Sequence, residues 1–132
     1  MDSTVPRSIP VAVTVASEQE PVQCDGIYAE RAGGFTLEFS IERDKFVIDH
    51  TAAVTSIAAR GDMSYDIALG ERDTETLLGT PFGEMRFAVR TTERTVIRDA
   101  DAISITLQYV LSSQAAGEIE RTVKLTARFA HS

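Results

Sequence analysis

The sequence lacks several features that mark common protein classes. Its single cysteine, Cys24, excludes an intramolecular disulfide, and its two histidines, His50 and His131, leave few ligands for a transition-metal site. No apolar run approaches the roughly 18 residues that a membrane-spanning helix needs. Lys and Arg total 13 against 20 Asp and Glu, and the resulting charge of −7 argues against a nucleic-acid or anionic-membrane surface. We therefore expect no nucleic-acid partner, no membrane association, no metal and no cofactor.

The chain also lacks the signature of secretion. Its first residues do not combine a basic segment with a long apolar one, so we expect a reducing cytoplasm. With 132 residues, of which 43% are hydrophobic, the composition predicts a single globular domain over residues 1–132, and residues 1–7 look like a loose N-terminal segment.

What the chain does contain is apolar–polar alternation with a period of two. No segment shows a helical apolar stripe, whereas about ten short runs place apolar residues on one face and polar residues on the other, which is typical of half-buried β-strands. The apolar sets include Val11, Val13 and Val15; Phe35, Leu37, Phe39 and Ile41; Phe46 and Ile48; Met63, Tyr65, Ile67 and Leu69; Met85, Phe87 and Val89; Ile103, Ile105, Leu107, Tyr109 and Leu111; and Ile119, Val123, Leu125, Ala127 and Phe129.

Between two of these runs lies Thr80-Pro81-Phe82-Gly83, a sequence typical of a tight turn, which we call the corner. Proline presets the backbone angle that the second position of a type I turn needs, and glycine suits the fourth position. No helix follows to supply the amides of a phosphate-binding loop, so the corner predicts a turn between two strands.

The alternation also fixes the parity of three other loops. The apolar set changes from odd numbers at Ile41 to even numbers at Phe46, which requires an even loop, either 43–44 or 42–45, and pairs Ile41 with Phe46. Gly61-Asp62 predicts a two-residue hairpin. The last two strands keep odd apolar sets, which requires an odd loop, predicted at 115–117, with Tyr109 opposite Val123.

Strands joined by short turns, each with one apolar face, predict an all-β antiparallel meander. Without helices to cover its inner face and its edges, such a sheet is best closed on itself, as a β-barrel of about eight to ten strands. A β-sandwich is the structural alternative.

The corner and the strand after it resemble one known family. Thr80-Pro81-Phe82-Gly83-Glu84-Met85 is similar to the T-P-F-G-E-[ML] segment of the bacterial YwiB-like family, and the order of neighbouring parts is also similar, from the opening valine strand to the I-x-I-x-L-x-Y run that begins at Ile103. The resemblance implies a lipocalin-like (calycin) β-barrel. It implies no activity and no functional residues, because that family has no established function.

Candidate catalytic and metal-binding residues are few. Asp99 and Asp101 lie in a charged segment that is typical of a solvated turn, and no set of His, Cys, Asp and Glu has metal-ligand spacing. Cys24 has no base at a diagnostic spacing and is interpreted as a plain buried or rim thiol. His50 shares the even apolar face with Phe46 and Ile48, which favours a hydrogen-bonded barrel histidine, and His131 is assigned to the tail. The sequence thus predicts no catalytic residue.

Arg121 is the unusual residue in the last strand. It belongs to the odd, apolar set, so its guanidinium is directed toward the barrel interior, where an unpaired charge is too costly to bury. It must reach water at the rim, pair with an inward acid or bind a ligand anion. If the interior is open, the residues that would form a ligand site are the odd-numbered Tyr65, Phe87, Leu107, Tyr109, Arg121 and Phe129.

These observations leave two hypotheses for function. The first is a non-enzymatic barrel that binds a small apolar or amphipathic anion. The second is a packed structural or protein-interaction module, forming a homodimer through a sheet face, with no internal ligand.

Overall fold

The computed structural model describes residues 8–16 and 20–129, and this part of the chain consists of β-strands and turns with no helix. The ten strands are β1 (Ser8–Val15), β2 (Val22–Arg31), β3 (Gly34–Ile41), β4 (Asp44–Thr51), β5 (Thr55–Arg60), β6 (Tyr65–Leu69), β7 (Thr74–Thr80), β8 (Gly83–Arg98), β9 (Ala102–Ser113) and β10 (Gly117–Phe129). The prediction of an all-β chain with about ten strands is confirmed.

The strands form one antiparallel sheet in the order β6-β5-β4-β3-β2-β1-β10-β9-β8-β7, which curls into a nearly closed barrel. The seam between β6 and β7 has only an isolated bridge, in which Ser64 and Gly79 exchange backbone bonds of 3.0 and 2.8 Å. Further along the seam, the hydroxyl of Thr76 donates to the Asp66 carbonyl over 2.7 Å and that of Thr74 to the Ala68 carbonyl over 2.8 Å. Threonine hydroxyls thus satisfy edge carbonyls that no strand pairs, and the meander closes as a barrel rather than packing as a sandwich.

The barrel is filled by the predicted apolar sets. Phe35, Leu37, Ile48, Ile105 and Leu107 are almost wholly buried and belong to one contiguous core. Each comes from a strand whose intervening residues face outward, because successive side chains of a strand point to opposite faces. Burial of this core is the main driving force for folding.

The predicted Thr80–Gly83 corner is confirmed as the β7–β8 turn. Thr80 pairs with Gly83, and its hydroxyl accepts from the Phe82 amide over 3.1 Å and donates to the Gly83 carbonyl over 2.9 Å. The threonine therefore closes the turn with its side chain as well as its backbone.

Two loop parities are confirmed, but the registers differ from those predicted by two residues. The β3–β4 loop is Glu42-Arg43, so Phe39 rather than Ile41 lies opposite Phe46. The β9–β10 loop is the three residues 114–116, so Tyr109 lies opposite Arg121 rather than Val123. Alternation sets only the parity, while the residues that turn the chain set the register.

One further expectation was wrong. The Gly61-Asp62 hairpin is not formed, because Ala59 pairs with Tyr65 and the connection is longer than two residues. The predicted inward valine set of the first strand is confirmed, with Val11 and Val13 buried, while the predicted loose segment 1–7 lies outside the described residues.

The two open ends of the barrel differ, and we name them by their residues. The tyrosine end carries Tyr65 and Tyr109 and is bounded by the β5–β6, β7–β8 and β9–β10 turns. The arginine end carries Arg94 and Arg98 and is bounded by the β2–β3, β4–β5, β6–β7 and β8–β9 turns.

Candidate functional site

A cavity of about 340 Å³ opens at the tyrosine end. Its wall contains four residues of the predicted ligand site, Tyr65, Phe87, Tyr109 and Arg121. Three of them project inward because they belong to the odd sets of β6, β8 and β9, and Arg121 lies directly opposite Tyr109 on β10. The remaining wall is mainly apolar, from Met63, Ile67, Leu78, Leu111 and Val123, with Thr76 and Thr122.

Tyr109 is 5% exposed as a residue, and its hydroxyl, which makes no hydrogen bond to any residue in 8–16 or 20–129, is accessible from the cavity. Burial is the main cause that raises the pKa of this phenol to about 12, Tyr65 raises it further, and Arg121 opposes the shift. Burial also raises the pKa of Tyr65, against the effect of Arg121. Both phenols are therefore protonated hydroxyls at neutral pH, and that of Tyr109 is open to the cavity, where water or a ligand can bind it.

Arg121 lies at the rim of the cavity with its side chain exposed. Arg121 was expected to reach water at the rim, pair with an inward acid or bind a ligand anion. The structure shows that it reaches water at the rim, and no acid among the described residues forms an ion pair with it. Its charge acts on both phenols, as their pKa shifts show. The tyrosine end thus combines two phenols, one guanidinium without an ion pair in the described ranges, and an apolar wall.

The other two predicted site residues lie elsewhere. Leu107 is fully buried in the core and does not reach the cavity, and Phe129 packs edge-to-face on Tyr28 at the arginine end, with ring centroids 5.2 Å apart. Their odd-numbered positions correctly predicted that both side chains point into the barrel. The alternation does not give the position of a residue along the barrel axis. Sequence reasoning also missed Thr76 and Leu111 of the cavity wall, although Leu111 belongs to the same alternating set as Tyr109.

The arginine end is built by a β-bulge that the sequence did not reveal. The β8–β9 register shifts between Thr91 and Glu93, so the inward set of β8 changes from odd to even numbers. Arg94 and Arg98 consequently pair with Leu107 and Ile103, which are inward residues of β9. A single extra residue in the strand thus directs two guanidinium groups toward the barrel end.

Arg98 is fully engaged there. Its guanidinium donates to the Tyr28 hydroxyl over 2.7 Å and forms an ion pair with Glu30 at 2.8 Å, and Tyr28 donates to the same carboxylate over 3.0 Å. It also lies over the Phe35 ring, 5.4 Å from the centroid. This group ties β8 to β2 and β3 across the barrel mouth.

Arg94 binds only neutral acceptors. It donates to the carbonyls of Thr51 and Ala52 over 3.1 and 2.8 Å and to the hydroxyl of Thr55 over 3.2 Å. Thr55 is fully buried and lies 2.7 Å from His50 Nδ1. The hydrogen-bonded histidine that the sequence favoured is thus confirmed.

Burial, followed by the charges of Arg94 and Arg98, lowers the pKa of His50. The ring is therefore neutral at physiological pH. Since the Thr55 oxygen accepts from Arg94, its one hydrogen is available for Nδ1, which places the imidazole hydrogen on Nε2.

The remaining candidates are structural. Cys24 is half-buried against the core, and burial followed by the Asp25 charge raises the pKa of its thiol, which disfavours the thiolate. Asp99 accepts from the amides of Asp101 and Ala102 over 2.7 and 2.8 Å, and these bonds lower the pKa of its carboxyl in an exposed turn. Within the described ranges, no group of His, Cys, Asp and Glu could hold a metal ion. His131 lies outside those ranges.

One solved structure has the same architecture. The crystal structure of the ywiB protein from Bacillus subtilis superimposes with a TM-score of 0.70 over 96% of this chain and 92% of that chain, at 13% sequence identity. At this identity the similarity shows a shared, YwiB-like fold. No protein-family model and no curated protein matches the sequence. The part of the chain that the structure describes contains no helix long and apolar enough to cross a membrane.

Proposed function

We propose that this protein is a non-enzymatic barrel that binds a small amphipathic anion at the tyrosine end. The observation that carries the proposal is the Tyr109 hydroxyl, which has no described protein partner and is open to the same cavity as Arg121, a guanidinium without an ion pair among the described residues. A ligand carboxylate can satisfy both groups at once, because a guanidinium and a phenol hydroxyl both donate hydrogen bonds to it.

The size and chemistry of the cavity support a ligand with a short apolar body. Its volume of about 340 Å³ falls in the lower part of the range of small-molecule sites, roughly 300–1,000 Å³. Phe87, Leu111 and Val123 provide apolar surface, and polar groups are few. Such a wall favours a medium-chain fatty acid or an aromatic carboxylate over a sugar or a nucleotide.

The shifted pKa values of the two phenols suit an anionic ligand. Tyr65 and Tyr109 both have a raised pKa, so neither becomes a negatively charged tyrosinate at neutral pH. They would donate to the ligand instead of repelling it. Because the chain carries a net charge of −7, anions are repelled from most of its surface and attracted mainly where the local charge is positive.

The test is a thermal-shift titration with octanoate and benzoate on wild type, Arg121→Ala and Tyr109→Phe. Arg90→Ala is the matched control, because Arg90 is an exposed arginine that does not line the cavity. A ligand at ten times its Kd stabilises the folded state by about 1.4 kcal/mol, which raises the Tm by a few degrees. We expect this shift in wild type and Arg90→Ala, a smaller one in Tyr109→Phe and the smallest in Arg121→Ala.

No shift at millimolar ligand in any protein, or equal shifts in wild type and Arg121→Ala, would remove Arg121 from the site. The absence of catalysis is part of the same proposal, and we expect no turnover of common ester, phosphate or glycoside substrates. A specific activity abolished by changing Cys24, His50 or Arg121 would contradict it.

The packed, self-associating module remains the second candidate, because the β7–β8 hairpin exposes apolar side chains. Phe82 at its tip is 99% exposed, and Leu77 and Met85 on its strands are also exposed. Such a patch suits a homodimer interface. A dimer in sedimentation velocity together with no response to the ligands would favour this function.

We also infer membership of the YwiB-like family. Two observations support it: the shared fold and the Thr80–Met85 segment, which resembles the family's corner. The lipocalin-like character of the barrel, the cytoplasmic location and the absence of nucleic-acid and membrane partners stay predictions.

A further inference from the structure

We propose that the arginine end carries a second binding site, separate from that of the tyrosine end, in which Arg94 binds the head group of a small organic monoanion. Within the described residues, Arg94 has free hydrogen-bond donors and no counter-charge, a cavity lies beside it, and Arg72 stands in the wall of that cavity. Binding at this site is independent of whether the tyrosine end binds anything.

The charge of Arg94 is not neutralised by the fold. Its side chain is half-buried, yet its acceptors are two carbonyls and a hydroxyl, and it forms no ion pair with any acid of the described chain. Arg98, four residues further along β8, has the carboxylate of Glu30 at 2.8 Å. The two arginines reach the same barrel end through the same bulge, and only one of them has a counter-charge in the protein. Removing a cation from water without a counter-charge is costly, so a bound anion would stabilise Arg94.

Arg94 also keeps donors available. A guanidinium has five N–H hydrogens, and the three bonds of Arg94 use two on Nη1 and one on Nη2. One hydrogen on Nε and one on Nη2 remain without a partner in the part of the chain described. These two nitrogens are neighbours in the guanidinium and form an edge that can bind a carboxylate with two parallel hydrogen bonds.

A cavity of about 480 Å³ lies beside this arginine, between the β4–β5 and β6–β7 turns. Ala52, Ala53, Val54 and Leu69 give it a largely apolar wall, and Arg72 adds a second guanidinium that has no ion pair within the described ranges. The bonds from Arg94 to Thr51 and Ala52 hold the β4–β5 turn, so one wall of the cavity is fixed before any ligand arrives.

The charges around the cavity define the ligand. Arg72 and Arg94 contribute two positive charges and Glu71 contributes one negative charge, which leaves a net charge of +1. His50, behind Thr55, is kept neutral by burial and by the arginines, as its lowered pKa shows. A monoanion with a compact apolar body fits this balance, whereas a polyanion such as a nucleoside triphosphate would be opposed by Glu71.

The experiment is an NMR titration of the isotope-labelled full chain with sodium benzoate, with benzyl alcohol as the neutral analogue of similar shape. We expect benzoate, and not benzyl alcohol, to shift the backbone amides of residues 52–54 and 70–72, which flank the cavity. Amides of residues 63–65 and 121–123 report the tyrosine end in the same spectra, so binding at each end is measured separately.

Arg94→Lys keeps the charge and loses the paired donors, and should weaken benzoate binding at this end at least about tenfold, as expected for a charge-assisted hydrogen bond. Arg72→Ala removes an exposed side chain without a described partner and should weaken binding by a few-fold. Arg90→Ala and Arg121→Ala should leave the affinity at this end unchanged.

The proposal is overturned if benzoate does not shift the amides of residues 52–54 and 70–72, if benzyl alcohol shifts them equally, or if folded Arg94→Lys binds as wild type does. If Arg94→Lys does not fold, Arg72→Ala decides: reduced affinity supports the site, and unchanged affinity contradicts it. Loss of binding at residues 121–123 alone would count against the proposed function and leave this site standing.

Discussion

The two ends of the barrel place arginines in similar positions and stabilise them differently. At the tyrosine end, Arg121 is exposed, has no described ion pair and faces two phenols across a cavity. At the arginine end, Arg98 is held by Tyr28 and Glu30, and Arg94 joins the β4–β5 turn to Thr55. The tyrosine end therefore has hydrogen-bond donors available for a ligand, whereas at the arginine end most polar groups are already bound to the protein.

The packing of side chains also differs between the two ends. At the arginine end, the rings of Tyr28, Phe35, His50 and Phe129 are in contact, with centroids 5.1–5.4 Å apart. At the tyrosine end, Tyr65, Phe87 and Tyr109 line a cavity, and Met63 and Met85 are exposed. We infer that the arginine end contributes more to stability and that the tyrosine end is freer to adjust to a ligand.

A pair of glycine substitutions tests this difference and should give the largest effect. A Cβ on Gly34, in β3 at the arginine end, would collide with the carbonyl oxygen of His50, which is backbone and cannot move alone. A Cβ on Gly79, in β7 at the tyrosine end, would meet the Ser64 carbonyl at an ordinary 3.6 Å. We expect Gly34→Ala to lower the free energy of unfolding by about 3 kcal/mol or more and Gly79→Ala to change it by less than about 1 kcal/mol.

Urea denaturation of both variants measures these changes. Equal losses of stability in Gly34→Ala and Gly79→Ala would show that the two ends accommodate an added methyl group equally well, which would contradict the inferred difference in packing.

The contrast between the ends also shows how far sequence reasoning reaches. Alternation correctly predicted the strands, the inward sets and the parity of the loops after Ile41 and after β9, because each depends only on which face is buried. It could not fix the register. In the β3–β4 turn the left-handed residue is Glu42, with φ of 55°, at a position that no sequence signal marks, and Gly117, with φ of 74°, follows its loop instead of lying within it.

The site was partly predictable for the same reason. Tyr65, Phe87, Tyr109 and Arg121 meet because inward residues of neighbouring strands must share the interior. Depth along the barrel depends on register, and so Leu107 was misplaced. Apart from His50, the polar groups of the arginine end were not predictable, since the β8 bulge lies among Thr91, Thr92 and Glu93, where no apolar alternation reveals a change of face.

Thr55→Val tests how much the network of hydrogen bonds among Thr55, His50 and Arg94 stabilises the arginine end. Its effect should be intermediate. Valine has nearly the same shape but removes the fully buried oxygen that contacts His50 Nδ1 and Arg94. Leaving these two groups without a partner should lower the free energy of unfolding by about 1–3 kcal/mol. Thr106→Val is the control, because Thr106 is only half-buried and makes no side-chain hydrogen bond within the described ranges, and it should change stability by less than about 0.5 kcal/mol. If both substitutions have the same effect, the network does not stabilise this end.

The smallest effect we predict is a pH dependence of opposite sign at the two ends. At the arginine end, the pKa of His50 is lowered from 6.5, so the unfolded chain binds a proton first as the pH falls. The contribution of neutral His50 to stability is therefore complete above pH 6.5 and decreases as the pH falls below that value toward the folded-state pKa. Wild type should lose stability relative to His50→Gln over this acid range.

At the tyrosine end, the pKa of Tyr109 is raised from 10.0 to about 12, mainly by burial, so the unfolded chain loses its proton first as the pH rises. The contribution of the neutral phenol is complete below pH 10.0 and is lost as the pH approaches about 12. Wild type should therefore lose stability relative to Tyr109→Phe over this alkaline range, while His50→Gln should follow wild type there. Urea denaturation across both ranges measures the two differences. A constant stability difference between wild type and Tyr109→Phe from pH 9 to about 12 would mean that the Tyr109 phenol is as accessible to solvent as in the unfolded chain, which would contradict the burial of most of this residue in the cavity wall.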